Sequence, residues 1–332
     1  MPPYSVAPLS MKAYQYENAK TGLQLKDVPI PEPLAGQALL RVEAAGLCHS
    51  DVHIMRGHGD AWLSKKPITL GHEVAGTVTK LGPGVTNVRV GDRVACGLTP
   101  EPVAVTGFGK APGLGLDGGY AEYLIMWASV LVVIPEAVSF AQAAVAVDSI
   151  ATAYHAVKTE AEVRAGTTMA IVGLGGLGIN GVRIAALQGA VVYGIDIDTK
   201  KFEDAMLQGA HACYQSLEEL SGVSLDVVVD FAGVGSTTRA AITSVKPTGR
   251  VVLVGLGVAK MELSTHELVT RGVDLRGSLG AVDVEYREVL DLIANGSINP
   301  VLEEIPFTSV VEGLHRLERN EGAGRLFTRP NA

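Results

Sequence analysis

Residues 45–59 read AGLCHSDVHIMRGHG and gather Cys48, His49, Ser50, Asp51, His53 and His58 into one short stretch. Thiol and imidazole are donors that zinc takes, and a zinc ion used in catalysis wants three protein ligands and one open position. His72, inside GHE at Gly71–Glu73, follows Cys48 by 24 residues and is a second candidate donor. Each residue also has a structural reading taken singly. A free cysteine is ordinarily a small buried hydrophobe, and a lone histidine in a β-rich region can be a satisfied core polar group.

A second stretch with chemistry in it is GLGGLG, which fits G-x-G-x-x-G through Gly173, Gly175 and Gly178, with Gly176 between them. It follows the strand-like MAIV and opens a helical pattern, the setting in which such a turn binds a dinucleotide. The first glycine makes the tight turn, the second lets backbone approach a pyrophosphate, and the third lets helix and strand pack. The helix N-terminus adds positive potential. Asp196 ends the run VVYGID, 18 residues after Gly178. A carboxylate there accepts from an adenosine ribose and repels a 2′-phosphate, so NAD is expected over NADP. Lys201, in the loop beyond with Asp198 and Lys200, reads either as a ribose contact or as solvated loop charge.

Two kinds of element must position these groups. Up to about residue 150 the chain alternates β-branched runs such as ALLRVEAAG and EVAGTVTKLG with Gly and Pro turns, the pattern of an antiparallel barrel-like unit. From residue 152 strands alternate with helical segments, which means a doubly wound parallel sheet. The fold class is therefore α/β, with an expected division into 1–151 with 281–332 and 152–280. The tail is expected to form two helices that return to the first unit. At 332 residues, 47% hydrophobic and 19% charged, the chain can bury a sizeable core. Its net charge of −8 argues against nucleic-acid or anionic-membrane partners. No apolar run reaches the roughly 18 residues that span a bilayer, and the opening MPPYSVAPLSMKAYQYENAK has no secretory pattern. Three scattered cysteines suit a reducing, cytoplasmic setting rather than a disulfide framework.

In the order GLCHSDVH, GHEVAGTV, VGDRVACG, DGGYAEY, GLGGLG and GIDID, the chain resembles the zinc-dependent alcohol dehydrogenases of the medium-chain dehydrogenase/reductase superfamily from Met11 onward. The resemblance implies a GroES-like β-barrel catalytic domain, a Rossmann domain binding NAD, and an active site in the cleft between them. It implies Cys48 and His72 as zinc ligands, Glu73 as a carboxylate that can approach the metal, and Asp51 as the acceptor that orients His72. Where many members carry a second cysteine four residues before a threonine, this chain has Asp148, four residues before Thr152. Carboxylate oxygen is a workable zinc donor; the other reading of Asp148 is a helix N-cap. The four-cysteine lobe of the family is missing, so one catalytic zinc, no structural zinc, and Cys96 as a buried strand residue are expected.

The resemblance also implies the reaction. Zinc acts as a Lewis acid on an alcohol oxygen, and nicotinamide takes the hydride. Ser50 and His53 form a proton relay, because a hydroxyl both donates and accepts and an imidazole titrates near neutrality. Thr152 and Leu177 lie against nicotinamide, His49 and Arg325 near the pyrophosphate, and Trp62, Leu98 and Tyr120 along an apolar pocket for small uncharged alcohols, aldehydes or ketones. A dimer or tetramer is implied by the family alone. The alternative is a zinc-independent reductase of enones or quinones using NAD(P)H.

Overall fold

The structure, a computed structural model, describes residues 9–96, 101–319, 321 and 324–332. The chain divides into one unit of Met1–Asp148 with Val282–Ala332 and a second of Ser149–Ala281.

The first unit is built on the long strand Gln37–Gly46, which pairs antiparallel with Glu73–Leu81, Tyr123–Trp127 and Arg325–Thr328. Strands Arg93–Cys96 and Leu131–Val133 continue the sheet on one side and Leu302–Ile305 on the other, and a three-stranded sheet runs Leu23–Pro29, Ser10–Tyr16, Ile68–Thr69. Alternation along these strands sends Leu40, Val42, Val74, Val78, Val94, Leu124 and Met126 into one core with Ile54, Leu70 and Leu314. The tail contributes helices Asp283–Ala294 and Val310–Glu318 as expected, and also two strands the sequence did not suggest. LEEI and RLFT are four-residue runs without a readable period, and they become strands through pairing with each other and, for RLFT, with Gln37–Gly46.

The second unit is a six-stranded sheet in the order Ala212–Tyr214, Val191–Ile195, Thr168–Val172, Leu225–Asp230, Val245–Leu253, Asp274–Gly277, every pair parallel. Strands buried on both faces need continuous apolar runs, and MAIV and VVV supply them: Ile171, Val228 and Val251 have no exposed surface. The parallel sheet read from the alternation of strands and helices, and the Rossmann-type arrangement implied by the resemblance, are observed. Among the described residues no helix is long and apolar enough to cross a membrane.

Candidate active site

One end of strand Gln37–Gly46 organises the first unit's polar cluster. Gly46 stands opposite both Glu73 and Phe327 in the two neighbouring ladders. That register brings the segment after Gly46, the start of Glu73–Leu81 and the start of Arg325–Thr328 to one place. A Cβ on Gly46 would lie 1.9 Å from Glu73 Oε2, so only glycine lets the carboxylate fold across. Just beyond, Cys48 precedes the helix His49–Met55. Asp148 arrives from elsewhere. Helix Phe140–Val145 is capped by Ser139, whose hydroxyl accepts from Gln142 N, and passes into a π-helical turn, Ala146–Ile150, that carries Asp148. The N-cap reading of Asp148 is thereby corrected, since the capping residue is Ser139. Single π turns recur at functional positions because they turn one side chain out of the regular helical register.

Ligand atoms of Cys48, His72, Glu73 and Asp148 lie within 4.8 Å of one another. Cys48 Sγ is 3.2 Å and His72 Nε2 3.7 Å from Asp148 Oδ2. Donors bound at about 2.0–2.3 Å around a tetrahedral ion stand about 3.3–3.8 Å apart, so these spacings admit one zinc ion with little movement. The donor set suits it: thiolate and carboxylate together cancel the ion's charge. Asp148 is 25% exposed and His72 11%, so solvent reaches one edge of an otherwise buried cluster. Glu73 differs from the other three, because both its oxygens are taken by Arg325: Nη2 donates to Oε1, and Nε to Oε2 at 3.2 Å. Arg325 Nη2 also reaches Asp148 Oδ2 at 3.3 Å.

The electrostatics favour a cation here. Burial alone would lower His72, but the charges of Asp51 and Cys48 and the contact with Asp148 raise it well above the ordinary imidazole value. Burial works to raise Asp148, yet His72, Arg325 and Cys48 outweigh it and hold the carboxyl well below the usual range. Burial pushes Glu73 up to about 8 against the opposing pull of Arg325. Positive charge is therefore drawn to the point where Sγ, Nε2 and Oδ2 converge.

Asp51 is fully buried behind His72. Its Oδ1 lies 3.4 Å from His72 Nδ1, an ion-pair approach without hydrogen-bond alignment, since Nδ1 makes no hydrogen bond. Ser50 Oγ is 3.7 Å from Cys48 Sγ. His53, one turn further along the same helix, is partly exposed. His49 Nε2 lies 3.0 Å from Leu317 O. Trp62 is partly buried against the core, and Leu98 lies outside the described residues.

One expectation is corrected. Tyr120 does not line a pocket: it has no exposed surface, and its hydroxyl donates to Asp51 Oδ2 at 2.8 Å. Arg325, which the resemblance puts near the pyrophosphate, is buried and pairs with Glu73. Neither arrangement could be read from spacing, because Glu73 and Arg325 are 252 residues apart and Asp51 and Tyr120 are 69. Cys96, by contrast, is the buried strand residue expected, its thiol donating to Val74 O at 3.4 Å and pushed well up by burial.

In the second unit the glycine turn joins strand Thr168–Val172 to helix Gly178–Leu187, with Leu177 as its N-cap. Gly173 has φ +87°, and a Cβ on Gly178 would lie 1.8 Å from Gly173 O. Gly175 and Gly176 are exposed, and a Cβ on Gly175 meets nothing within 4 Å. The open side of that turn is free backbone of the kind a pyrophosphate approaches. Asp196, 8% exposed, accepts from Leu174 N at 2.7 Å, Asp198 N at 2.9 Å and Lys201 Nζ at 2.9 Å. Its carboxylate is thus fixed beside the turn. Thr152 is buried in the short helix Ala151–Tyr154.

Residues 34–136 match the family model described as alcohol dehydrogenase GroES-like domain, and 176–295 the one described as zinc-binding dehydrogenase. An alcohol dehydrogenase of Geobacillus stearothermophilus is 32% identical over 338 residues, covering 95% of this chain and 98% of that protein. Among solved structures, acetophenone reductase from Geotrichum candidum in complex with NAD is similar with a TM-score of 0.88 at 33% identity, over 98% of each chain. A thermostable alcohol dehydrogenase from Pyrobaculum aerophilum gives 0.87 at 28% identity, over 97% of this chain and 100% of that one.

Proposed function

We propose, for a chain that belongs to the zinc-dependent alcohol dehydrogenases of the medium-chain dehydrogenase/reductase superfamily, a definite assignment of residues in its NAD-linked interconversion of alcohols with aldehydes or ketones. Cys48, His72 and Asp148 hold a single zinc ion, which when bound supplies Lewis acidity toward the substrate oxygen. The observation that carries this is the convergence of thiol, imidazole and carboxylate within 4.8 Å, the first two standing 3.2 and 3.7 Å from the third, on a partly open cluster.

Glu73 is kept off the ion by Arg325, which occupies both carboxylate oxygens. Ser50, beside Cys48, takes the substrate's hydroxyl proton. His53, three residues on and therefore on the same side of the helix, passes it to solvent. Asp51 holds His72 so that Nε2 faces the cluster. In the coenzyme domain the exposed backbone at Gly175 and Gly176 receives the pyrophosphate. Asp196 and Lys201 bind the adenosine ribose, and Asp196 repels a 2′-phosphate. Thr152 and Leu177 border the nicotinamide, and His49 lies toward the pyrophosphate.

The substrates are small and uncharged. Trp62, partly buried against the core, and the ketone named for the Geotrichum relative support that class. The three unpaired cysteines support a cytoplasmic setting. Strand Asp274–Gly277, paired on one side only among the described residues, supports assembly into a dimer or tetramer. Nothing in the donor set favours the zinc-independent enone or quinone reductase. The test is zinc content and NAD reduction measured side by side for the parent and Asp148→Ala: the variant is expected to lose both. Full metal and full activity in Asp148→Ala would refute the ligand assignment.

A further inference from the structure

Behind the His72 imidazole, 3.4 Å from Nδ1, stands the buried carboxylate of Asp51, which must itself be held. Asp51 has four polar neighbours: Cys48 N at 3.4 Å and Tyr120 Oη at 2.8 Å on Oδ2, Gly71 N at 3.3 Å and His72 Nδ1 at 3.4 Å on Oδ1. Three of these are long, and only the tyrosine contact has the usual length of an O–H···O hydrogen bond. Gly46 O is also within reach of the hydroxyl at 3.2 Å, but a phenol has a single proton, and the closer, charged acceptor takes it.

The tyrosine is itself fixed against the segment that carries His72. Tyr120 N donates to Leu70 O and Gly119 N to Gly71 O, each within 3.0 Å, so the two segments run side by side. Gly71 has φ +94°, and a Cβ there would lie 2.7 Å from the Tyr120 ring. The ring fills the space that any larger residue before His72 would need.

We propose that Tyr120 is a positioning residue for the metal centre: through Asp51 it fixes the His72 imidazole, and it does so without touching ion, substrate or coenzyme. The proposal rests on the reading of Cys48, His72 and Asp148 as ligands. Outer groups of this kind change metal affinity by about 10–100-fold when removed.

The experiment compares zinc affinity, by chelator competition on the full-length protein, for the parent, Tyr120→Phe and Tyr16→Phe. Tyr16 is an equally buried tyrosine whose hydroxyl bonds Asp60 at 3.0 Å, away from the cluster. Tyr120→Phe is expected to weaken zinc binding about tenfold or more and to shift the visible bands of the cobalt-substituted protein, with the KM for NAD unchanged. Tyr16→Phe is expected to lower the melting temperature comparably and leave zinc affinity alone. Combining Tyr120→Phe with Asp51→Asn should weaken binding no further than Asp51→Asn does. Parent-like zinc affinity and cobalt spectrum in folded Tyr120→Phe, an equal loss in Tyr16→Phe, or full additivity with Asp51→Asn overturns the proposal. A parent that binds no zinc overturns the ligand reading instead. Should Tyr120→Phe fail to fold, 3-fluorotyrosine placed at position 120 keeps the hydroxyl and reports directly. Its fluorine resonance is expected to move when zinc is added to stripped protein, and an unmoved resonance overturns the proposal.

Discussion

The polar cluster of the first unit and the glycine turn of the second are assembled over different spans of chain. Cys48 and Asp148 are 100 residues apart, and Glu73 and Arg325 are 252. In the second unit Leu174 and Asp196 are 22 apart, and Asp196 and Lys201 only 5. The coenzyme loop is largely the product of one strand, one turn, one helix and the next strand. The polar cluster exists only when four remote segments have been brought to the end of strand Gln37–Gly46. A local device survives small distortions of its surroundings, whereas a convergent one inherits every error of register made elsewhere.

The comparison predicts that damage to one region stays there, because groups with no shared partners act additively. The largest effect belongs to Asp148→Ala. Losing a ligand should exceed the roughly 100-fold upper end for groups one layer out, abolishing zinc retention and NAD reduction, while NADH binding followed by nicotinamide fluorescence stays near the parent value. Loss of NADH binding as well would break the proposed independence.

Gly178→Ala should act in the opposite sense. Its Cβ would fall 1.8 Å from Gly173 O, a clash of the kind that costs about 1–3 kcal/mol. A lower melting temperature and a raised KM for NAD are expected, with zinc content intact by metal analysis. Gly175→Ala sharpens the point: with nothing within 4 Å of the added methyl, the melting temperature should hold while NAD affinity falls. Equal thermal damage in both variants would contradict the geometry. Asp196→Asn removes a charge-assisted acceptor worth about 1.5–3 kcal/mol. It should raise the KM for NAD by about tenfold or more and narrow the preference over NADP, measured by steady-state kinetics with each coenzyme.

The smallest effect is at Asp226, outside both sites. Burial raises its carboxyl, but Lys246 and the Thr168 N–H outweigh that and lower it. A depressed carboxylate stabilises the fold above its unfolded pKa of about 3.9. That contribution disappears as pH falls through the lower, folded value. Asp226→Asn should therefore cost less than about 1 kcal/mol at neutral pH, and the difference in melting temperature from the parent should close as pH drops below about 4.

How much of this could be read in advance varied with the span of each contact. Gly173, Gly178 and Asp196 are legible because their roles follow from a strand, a turn and a helix contiguous in sequence. Cys48 and His72 stand out by residue type, and the resemblance assigned them. Tyr120 does not take its expected place, and the Glu73 partner of Arg325 is not legible. Tyr120 is as compatible with a pocket wall as with a buried donor until its hydroxyl is seen against Asp51. Arg325 sits on a four-residue strand whose existence depends on pairing with Leu302–Ile305.

The sequence by itself determined the candidate donors, the glycine turn and the alternation of strands and helices in the second unit, since these depend on side-chain chemistry and on periodicities of a few residues. Tertiary structure decided which carboxylate a guanidinium holds through both oxygens and which it touches through one. Asp148 and Glu73 have the same functional group, and only the register of Arg325–Thr328 on Gln37–Gly46 gives Glu73 the cation that Asp148 touches less closely. Ionic interactions depend on distances of a few ångström, and no linear spacing encodes such a distance across 252 residues.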